Sequence, residues 1–242
     1  MTGLVLSELL KLRTIRAPLG LALAVIVVSG LAVAATVGAD ALESSSRELD
    51  IADAAEVSSI LAMILGILLV TNEYRHGTIT PTFLVAPARE RVLTAKLIAA
   101  GIAGVLIGCL AALVAFAIAI PWLATDGDSL GGGDTQVAVL RLVGSFALAA
   151  LIGVAVGTLI HSQIGAIVAA FAWFLVVEPL VWGLGELVDW SLRPYLPGSA
   201  LDALVSTDDE LLSAPSGLLL SLAYVGVLFA AGTLLTLRRD AD

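Results

Sequence analysis

The sequence contains six long apolar runs, and these constrain its fold more than any other feature. They cover residues 17–39, 54–71, 97–124, 137–160, 164–184 and 216–236. Each run is long enough to cross about 30 Å of hydrocarbon at roughly 1.5 Å per helical residue. Of the 242 residues, 59% are hydrophobic and 14% are charged, so the chain is more apolar and less charged than a soluble domain. We therefore expect an all-α integral membrane protein, with six transmembrane helices in a single domain over residues 1–242.

The basic residues are concentrated on one side of this six-span topology. They precede the first run and follow the second and the sixth. Basic residues accumulate in cytoplasmic loops, so both termini are predicted to be cytoplasmic. The residue bias, with Arg over Lys and much Ala, Gly, Leu and Val, favours a bacterial source and hence the bacterial cytoplasmic membrane. The basic residues on the predicted inner side are Lys11, Arg13, Arg16, Arg75, Arg89, Arg91, Lys96, Arg238 and Arg239.

Residues 1–16 are predicted to form an amphipathic helix in the inner membrane interface. Leu6 and Leu9 fall on one helical face, whereas Glu8 and Lys11 fall on the other. The basic side chains are expected to lie near anionic headgroups. A frayed leader is the alternative. Cleavage as a signal peptide is disfavoured because the first apolar run is longer than a signal core.

Residues 72–96 form a polar cytoplasmic segment between the second and third runs. Gly77 suits the left-handed residue that ends a helix. Thr80 is then a good N-cap with Pro81 at the first helical position, and Pro87 stops the short helix that follows. The spacing therefore predicts a short capped helix inside this segment.

Phe83 and Leu84 place apolar side chains on that short helix, which faces the cytoplasm. An exposed apolar tip favours docking to a partner. The alternative is that both side chains lie in the lipid interface.

Catalytic motifs are absent from the sequence. Neither Lys11 nor Lys96 follows a glycine-rich loop, so the chain has no P-loop. No zinc-protease or nucleophile-elbow motif occurs, and His76 and His161 are far apart. The chain is therefore predicted to be non-catalytic and to bind no metal or cofactor itself.

Three further features leave alternatives open. Glu178, late in the fifth run, is either a carboxylate facing a substrate path or an interfacial group reaching headgroup water. The outer loop 185–215 holds either short helices or ordinary loop. Glycine pairs four residues apart, Gly104 with Gly108 and Gly153 with Gly157, indicate close helix packing within the bundle or at a dimer interface.

The segment Glu73-Tyr-Arg-x-Gly-Thr, followed by the short helix, Pro87 and Ala95-Lys96, resembles the permeases of type-2 ABC exporters. The resemblance implies an interfacial N-terminal helix, six spans and a coupling helix between spans two and three. It assigns coupling to an ATPase to Glu73, Tyr74, Arg75, Gly77, Thr78, Thr80, Pro81, Phe83, Leu84, Pro87, Arg89 and Arg91. It places a second inner contact at His161, Ser162 and Gln163, where many relatives carry a basic residue.

The resemblance further implies a permease whose ATP and Mg²⁺ bind to a separate P-loop ATPase subunit. Two copies, or one copy with a homologous permease, would form the transporter, and no nucleic acid is involved. An apolar cavity would favour export of a hydrophobic or amphipathic substrate. The alternative function is a membrane scaffold or sensor that docks a cytoplasmic signalling protein. A secondary transporter is less favoured because no inverted repeat is evident.

Overall fold

The computed structural model describes residues 2–14, 16–39, 41–42, 46–79, 88–125, 130–187 and 191–238. Within these ranges the regular structure is entirely helical, with no strand. Five of the described helices are long and apolar enough to cross a membrane, and the number is six if one pair of helices joined by a bend is counted as one span. The predicted all-α membrane fold is therefore confirmed.

The described part of the chain contains ten α-helices, one π-helix and one 3-10 helix. They are α1 (Thr2–Thr14), α2 (Arg16–Gly38), α3 (Arg47–Glu56), α4 (Ser59–Arg75), α5 (Arg89–Thr125), α6 (Gly132–Leu159), α7 (Gln163–Ala172), the π-helix (Trp173–Val177), α8 (Glu178–Leu187), the 3-10 helix (Arg193–Tyr195), α9 (Pro197–Asp202) and α10 (Ala214–Arg238). Each predicted apolar run overlaps one long helix or one consecutive set of helices. The helices extend beyond the apolar runs because polar end turns continue the same backbone hydrogen bonding.

Helix α6 is the centre of the bundle and packs against α3, α4, α5 and α10. Glycines allow the closest of these approaches. Gly104 and Gly108 of α5 lie against the α6 backbone at Ala147 and Val143. Gly153 of α6 lies against the backbone of α4. Among the two interpretations of the glycine pairs, packing inside the bundle is the one the structure bears out.

The second span is broken near its start. The apolar run 54–71 predicts one continuous helix, whereas α3 and α4 meet at an angle of 41°. Ser58 lies at the break, and its hydroxyl is 2.7 Å from the Ser29 hydroxyl of α2. Helix α3 buries Ile51 and Ala55 despite its acidic residues. The helical stretch that contains the second run is therefore longer than predicted and bent.

The outer loop contains short helices, which was one of its two interpretations. The 3-10 helix and α9 both lie within it. Arg193 pairs with Asp208 at 2.8 Å and with Glu210 at 2.7 Å, and its guanidinium lies 4.6 Å from the ring centre of Trp182. These contacts fold the described part of the loop onto the bundle.

The two ends of the bundle differ in character. We call "basic end" the one where α1, the end of α4, the start of α5 and the α6–α7 turn meet. We call "acidic end" the opposite one, which carries α9 and the turn where Glu48 accepts a 2.7 Å hydrogen bond from Gly131 N–H. Those residues predicted to couple to an ATPase that the structure describes belong to the basic end.

Candidate functional site

Helix α4 ends in a tight turn at the root of the 72–96 segment. Gly77 has a φ of +66°, the left-handed conformation that the sequence predicts there. The N–H of Thr78 donates to the carbonyl of Glu73 at 2.9 Å, and the N–H of Gly77 donates to that of Tyr74 at 3.3 Å. These two bonds satisfy carbonyls that a helix end leaves unpaired. The chain leaves the bundle at Arg75 in a defined direction.

The predicted coupling helix lies outside the described residues. This applies to Thr80, Pro81, Phe83, Leu84 and Pro87. The structure resumes at Ala88, whose carbonyl accepts a 2.9 Å hydrogen bond from Arg91 N–H. Arg89 begins α5 and Arg91 is exposed.

Two lysines and two glutamates form a partly buried cluster at the basic end, which we call the Glu–Lys cluster: Glu8, Lys11, Glu73 and Lys96. Lys96 Nζ lies 2.9 Å from Glu8 Oε2 and 2.8 Å from Glu73 Oε1. Lys11 Nζ lies 2.7 Å from Glu8 Oε1 and 2.6 Å from Glu73 Oε1. Lys96 also donates to the carbonyl of Leu69 at 3.1 Å. The four side chains form a closed ring of ion pairs with no net charge.

Burial makes this neutrality necessary. The side chain of Lys96 is 0% exposed, and those of Glu8 and Glu73 are 4% and 8% exposed. An unpaired charge at such a site carries a desolvation cost of several kcal/mol, whereas a fully paired set offsets most of it. Burial alone would lower the pKa of Lys11, but hydrogen bonds to Glu73 and Glu8 outweigh it and raise that pKa above its usual value. Lys11 therefore stays charged at neutral pH.

The cluster corrects the prediction for the N-terminal helix. The sequence places Lys11 among lipid headgroups, whereas the structure pairs it with Glu8 and Glu73. Leu6 and Leu10 are exposed instead. Residues 2–14 form a helix, and its Glu8 and Lys11 side chains turn toward the bundle because the buried Lys96 needs counter-charges.

Sequence reasoning did not assign Glu8, Lys11 and Lys96 to the site. Two signals were available. Lys11 and Lys96 are the only lysines in a chain with ten arginines, and Lys96 falls where a helix enters its apolar run. A lysine at such a position needs a partner, but the sequence does not say which carboxylate supplies it.

Glu73 keeps one unused acceptor. Its Oε2 atom is buried with no hydrogen-bond partner in the described part of the chain. A gap of about 40 Å³ adjoins it, lined by Leu12, Pro18 and Asn72 among others. This volume is sufficient for a water molecule.

The predicted second inner contact lies beside the end of α4. The rings of His161 and Tyr74 meet edge to face with centroids 4.3 Å apart. Arg75 Nη1 donates to Gln163 Oε1 at 3.0 Å. Ser162 caps α7, where its hydroxyl accepts from Gly165 N–H at 3.3 Å. The structure thus brings the α6–α7 turn and the α4 end into one surface, although they are 88 residues apart in sequence at Arg75 and Gln163.

Residues 4–177 match the family described as ABC-2 family transporter protein. The chain belongs to this family. The sequence of this chain matches none of the curated proteins. As an ABC-2 family member it is a multi-pass membrane protein and a permease component of an ABC transporter.

The matched region of this ABC-2 protein holds the whole basic end that the structure describes. It begins within α1 and ends with the π-helix. The Glu–Lys cluster, the turn at Gly77 and the α6–α7 turn all lie inside it. The family resemblance inferred from Glu73-Tyr-Arg-x-Gly-Thr is therefore confirmed, whereas the coupling roles of individual residues stay predictions.

Glu178 is bound within the ABC-2 protein rather than facing an open path. Its Oε1 atom accepts a 2.7 Å hydrogen bond from Trp173 Nε1 and a 2.8 Å bond from Gly198 N–H. Its Oε2 atom lies 3.1 Å from the same amide nitrogen. The carboxylate thus ties α8 to the start of α9. The sequence did not indicate this partner, which lies 20 residues further along the chain.

Replacing Glu178 with Ala should loosen α9. The change leaves Gly198 N–H and the Trp173 indole without their acceptor, and a buried unpaired donor costs about 1–3 kcal/mol. Amides of α9 should therefore exchange with deuterium faster, as followed by mass spectrometry of the 197–202 region. Asp209→Ala removes an exposed carboxylate at the same end and should leave that exchange nearly unchanged. Equal exchange in both variants would contradict the role assigned to Glu178.

Proposed function

We propose that this ABC-2 permease exports a hydrophobic or amphipathic substrate with ATP hydrolysed on a separate P-loop ATPase subunit. The ATPase would bind ATP and Mg²⁺, and this chain would carry out no covalent chemistry. The substrate path would lie between two copies of the chain, or between this chain and a homologous permease. The basic end would face the cytoplasm of a bacterial cell, as the positive charges of its loops favour.

One contact supports this mechanism most directly. Glu73 and Lys96 stand at the two ends of the 72–96 segment, and their charged atoms are 2.8 Å apart. Lys96 is also paired with Glu8 of α1, and Glu73 is also paired with Lys11 of α1. A force applied to the segment would therefore reach α1, α4 and α5 together rather than bend a free loop. That is the mechanical property that a coupling element requires.

Within this proposal the segment docks on the ATPase through Phe83 and Leu84. The first end of the segment would be held by Glu73, Tyr74, Arg75, Gly77 and Thr78. The turn His161, Ser162 and Gln163 would form a second contact beside it, because Gln163 already bonds Arg75. Closure of the ATPase pair would push on this surface and change the side from which the substrate path is open.

The proposal is tested by purifying the tagged chain from its native membrane in mild detergent. We expect a stoichiometric P-loop ATPase to co-purify, as identified by mass spectrometry. The double variant Phe83→Asp/Leu84→Asp should lose it, because two charges replace the apolar tip. The matched control Phe83→Leu/Leu84→Phe keeps the tip apolar and should retain it.

Two results would contradict the proposal. Co-purification of a signalling protein without any ATPase would favour the scaffold or sensor function. Retention of the ATPase by the Asp variant would remove Phe83 and Leu84 from the docking surface.

A further inference from the structure

A cleft opens between three of the membrane-spanning helices and reaches the α6–α7 turn at Ile160, but none of the described residues predicted to contact the ATPase lines it. Its walls are α6 at Val156, the α7–π-helix segment at Ala169 and Trp173, and α10 at Leu228, and Pro197 at the start of α9 closes one end. The volume of the cleft is about 290 Å³. We call it the α6–α10 cleft.

Local sequence explains why the space exists. Ala169 and Ala170 put small side chains on the wall where a larger residue would fill it. The π-helix that follows is wider than an α-helix, which displaces Trp173 and Phe174 from α-helical register. Ala169 and Trp173 are both exposed, so the cleft is open at the surface of the protein.

The lining offers no free polar group. Apart from Trp173 and Tyr224, every lining side chain is apolar. The indole Nε1 of Trp173 donates to Glu178 at 2.7 Å, and the Tyr224 hydroxyl donates to the carbonyl of Tyr195 at 2.6 Å. Water needs two to four polar partners to stay in a cavity, so the cleft favours hydrocarbon over water.

The dimensions of the cleft favour a single hydrocarbon chain as its occupant. Along α6 the lining extends from Ile152 to Ile160, which is about 12 Å at roughly 1.5 Å per residue. One leaflet contributes about 15 Å of a hydrocarbon core that is about 30 Å thick. Spread over that length, the volume of about 290 Å³ corresponds to a cleft about 5 Å wide, whereas a helix from a second copy is about 10 Å across with its side chains.

We propose that the α6–α10 cleft binds one acyl chain of a membrane lipid. The acyl chain would lie along α6, contact the rings of Trp173 and Phe174 and end against Pro197. Glu178 accepts hydrogen bonds from Trp173 and Gly198. The lipid would contact Trp173 directly and would also contact Pro197, which immediately precedes Gly198. This site is separate from ATPase docking and does not depend on the proposed transport function.

The test uses a phosphatidylcholine whose acyl chain carries a diazirine near its middle. The full-length protein is reconstituted with this lipid and illuminated, and the adducts are mapped by peptide mass spectrometry. We expect adducts concentrated on the Ala169–Phe174 stretch and near Leu228. Ala169→Phe fills the cleft and should reduce these adducts at least about tenfold, because the displaced methylenes lose their buried contacts.

A matched control and a second variant complete the design. Val227→Phe adds a ring to an exposed position of α10 outside the cleft and should leave cleft labelling unchanged. Leu228→Trp fills the cleft from its other wall and serves if Ala169→Phe does not fold. Labelling spread evenly over all lipid-facing positions, or unchanged in both filling variants, would overturn the proposal. Crosslinks from the cleft to a second copy of the chain would overturn it as well.

Discussion

Lys96→Met should lower the stability of this permease by about 3–5 kcal/mol, the range typical of removing one partner from a buried ion pair. Methionine fills nearly the same space, so lost packing contributes little. The effect arises because Glu8 and Glu73 would then share one remaining cation, Lys11. A loss of this size corresponds to a fall in Tm of roughly 10 °C for a chain of this length. Thermal unfolding of the detergent-solubilised protein measures it.

The variant Glu73→Gln/Lys96→Met distinguishes charge imbalance from other causes. It removes one charge of each sign, so it should be more stable than Lys96→Met alone, with a coupling of about 0.5–3 kcal/mol in the double-mutant cycle. Arg91→Met is the matched control, because it removes an exposed cation at the same end and should change Tm little. Equal Tm values for Lys96→Met and Arg91→Met would show that the Glu–Lys cluster does not stabilise the bundle.

Gly153→Ala should destabilise the bundle, although it adds a single methyl group. The new Cβ would overlap the carbonyl oxygen of Met63, which belongs to the α4 backbone. Backbone cannot rotate away as a side chain can, so α4 and α6 must separate along their contact. Overpacking of this kind costs about 1–3 kcal/mol, and Gly153→Leu should prevent assembly of the bundle. Tm and the yield of monodisperse protein measure both variants.

Gly226→Ala is the control for this prediction. Gly226 also lies inside a spanning helix, but a Cβ there meets no atom within 4 Å. Alanine favours a helix interior over glycine by about 0.5–1 kcal/mol, so this variant should match or slightly exceed the original Tm. If Gly153→Ala also left Tm unchanged, the close approach of α4 and α6 would not be required.

Features encoded by neighbouring residues could be predicted from the sequence. Apolar length alone located the spanning helices. The turn at Gly77 followed from one glycine after an apolar helix, and its φ of +66° agrees. The glycine pairs of α5 and α6 indicated packing because a missing side chain is itself the signal. The family followed from one short segment, Glu73 to Thr78, together with the six runs.

Features that depend on distant partners could not be predicted. Glu73 meets Lys11 across 62 positions, and Glu8 meets Lys96 across 88. Periodicity places Glu8 on the polar face of α1 but does not say that this face turns inward. The acids of α3 similarly concealed an apolar face at Ile51 and Ala55, so the start of the second span was placed in a loop. In each case, contacts between residues far apart in sequence, rather than local polarity, determine which face of the helix is buried.

The Glu–Lys cluster also determines which chemical reagents can report on this protein. Amine-selective acylating or biotinylating reagents require an accessible, deprotonated lysine. Lys96 is fully buried, so Lys11, whose side chain is 41% exposed and paired with Glu8 and Glu73, is the one lysine within reach of such reagents. The exposed cations at the same end, such as Arg75 and Arg91, carry guanidinium groups that these reagents do not modify. Lysine-directed crosslinking can therefore report on a subunit bound there only through Lys11, and photoreactive groups placed along residues 72–96 are the more complete means of mapping it.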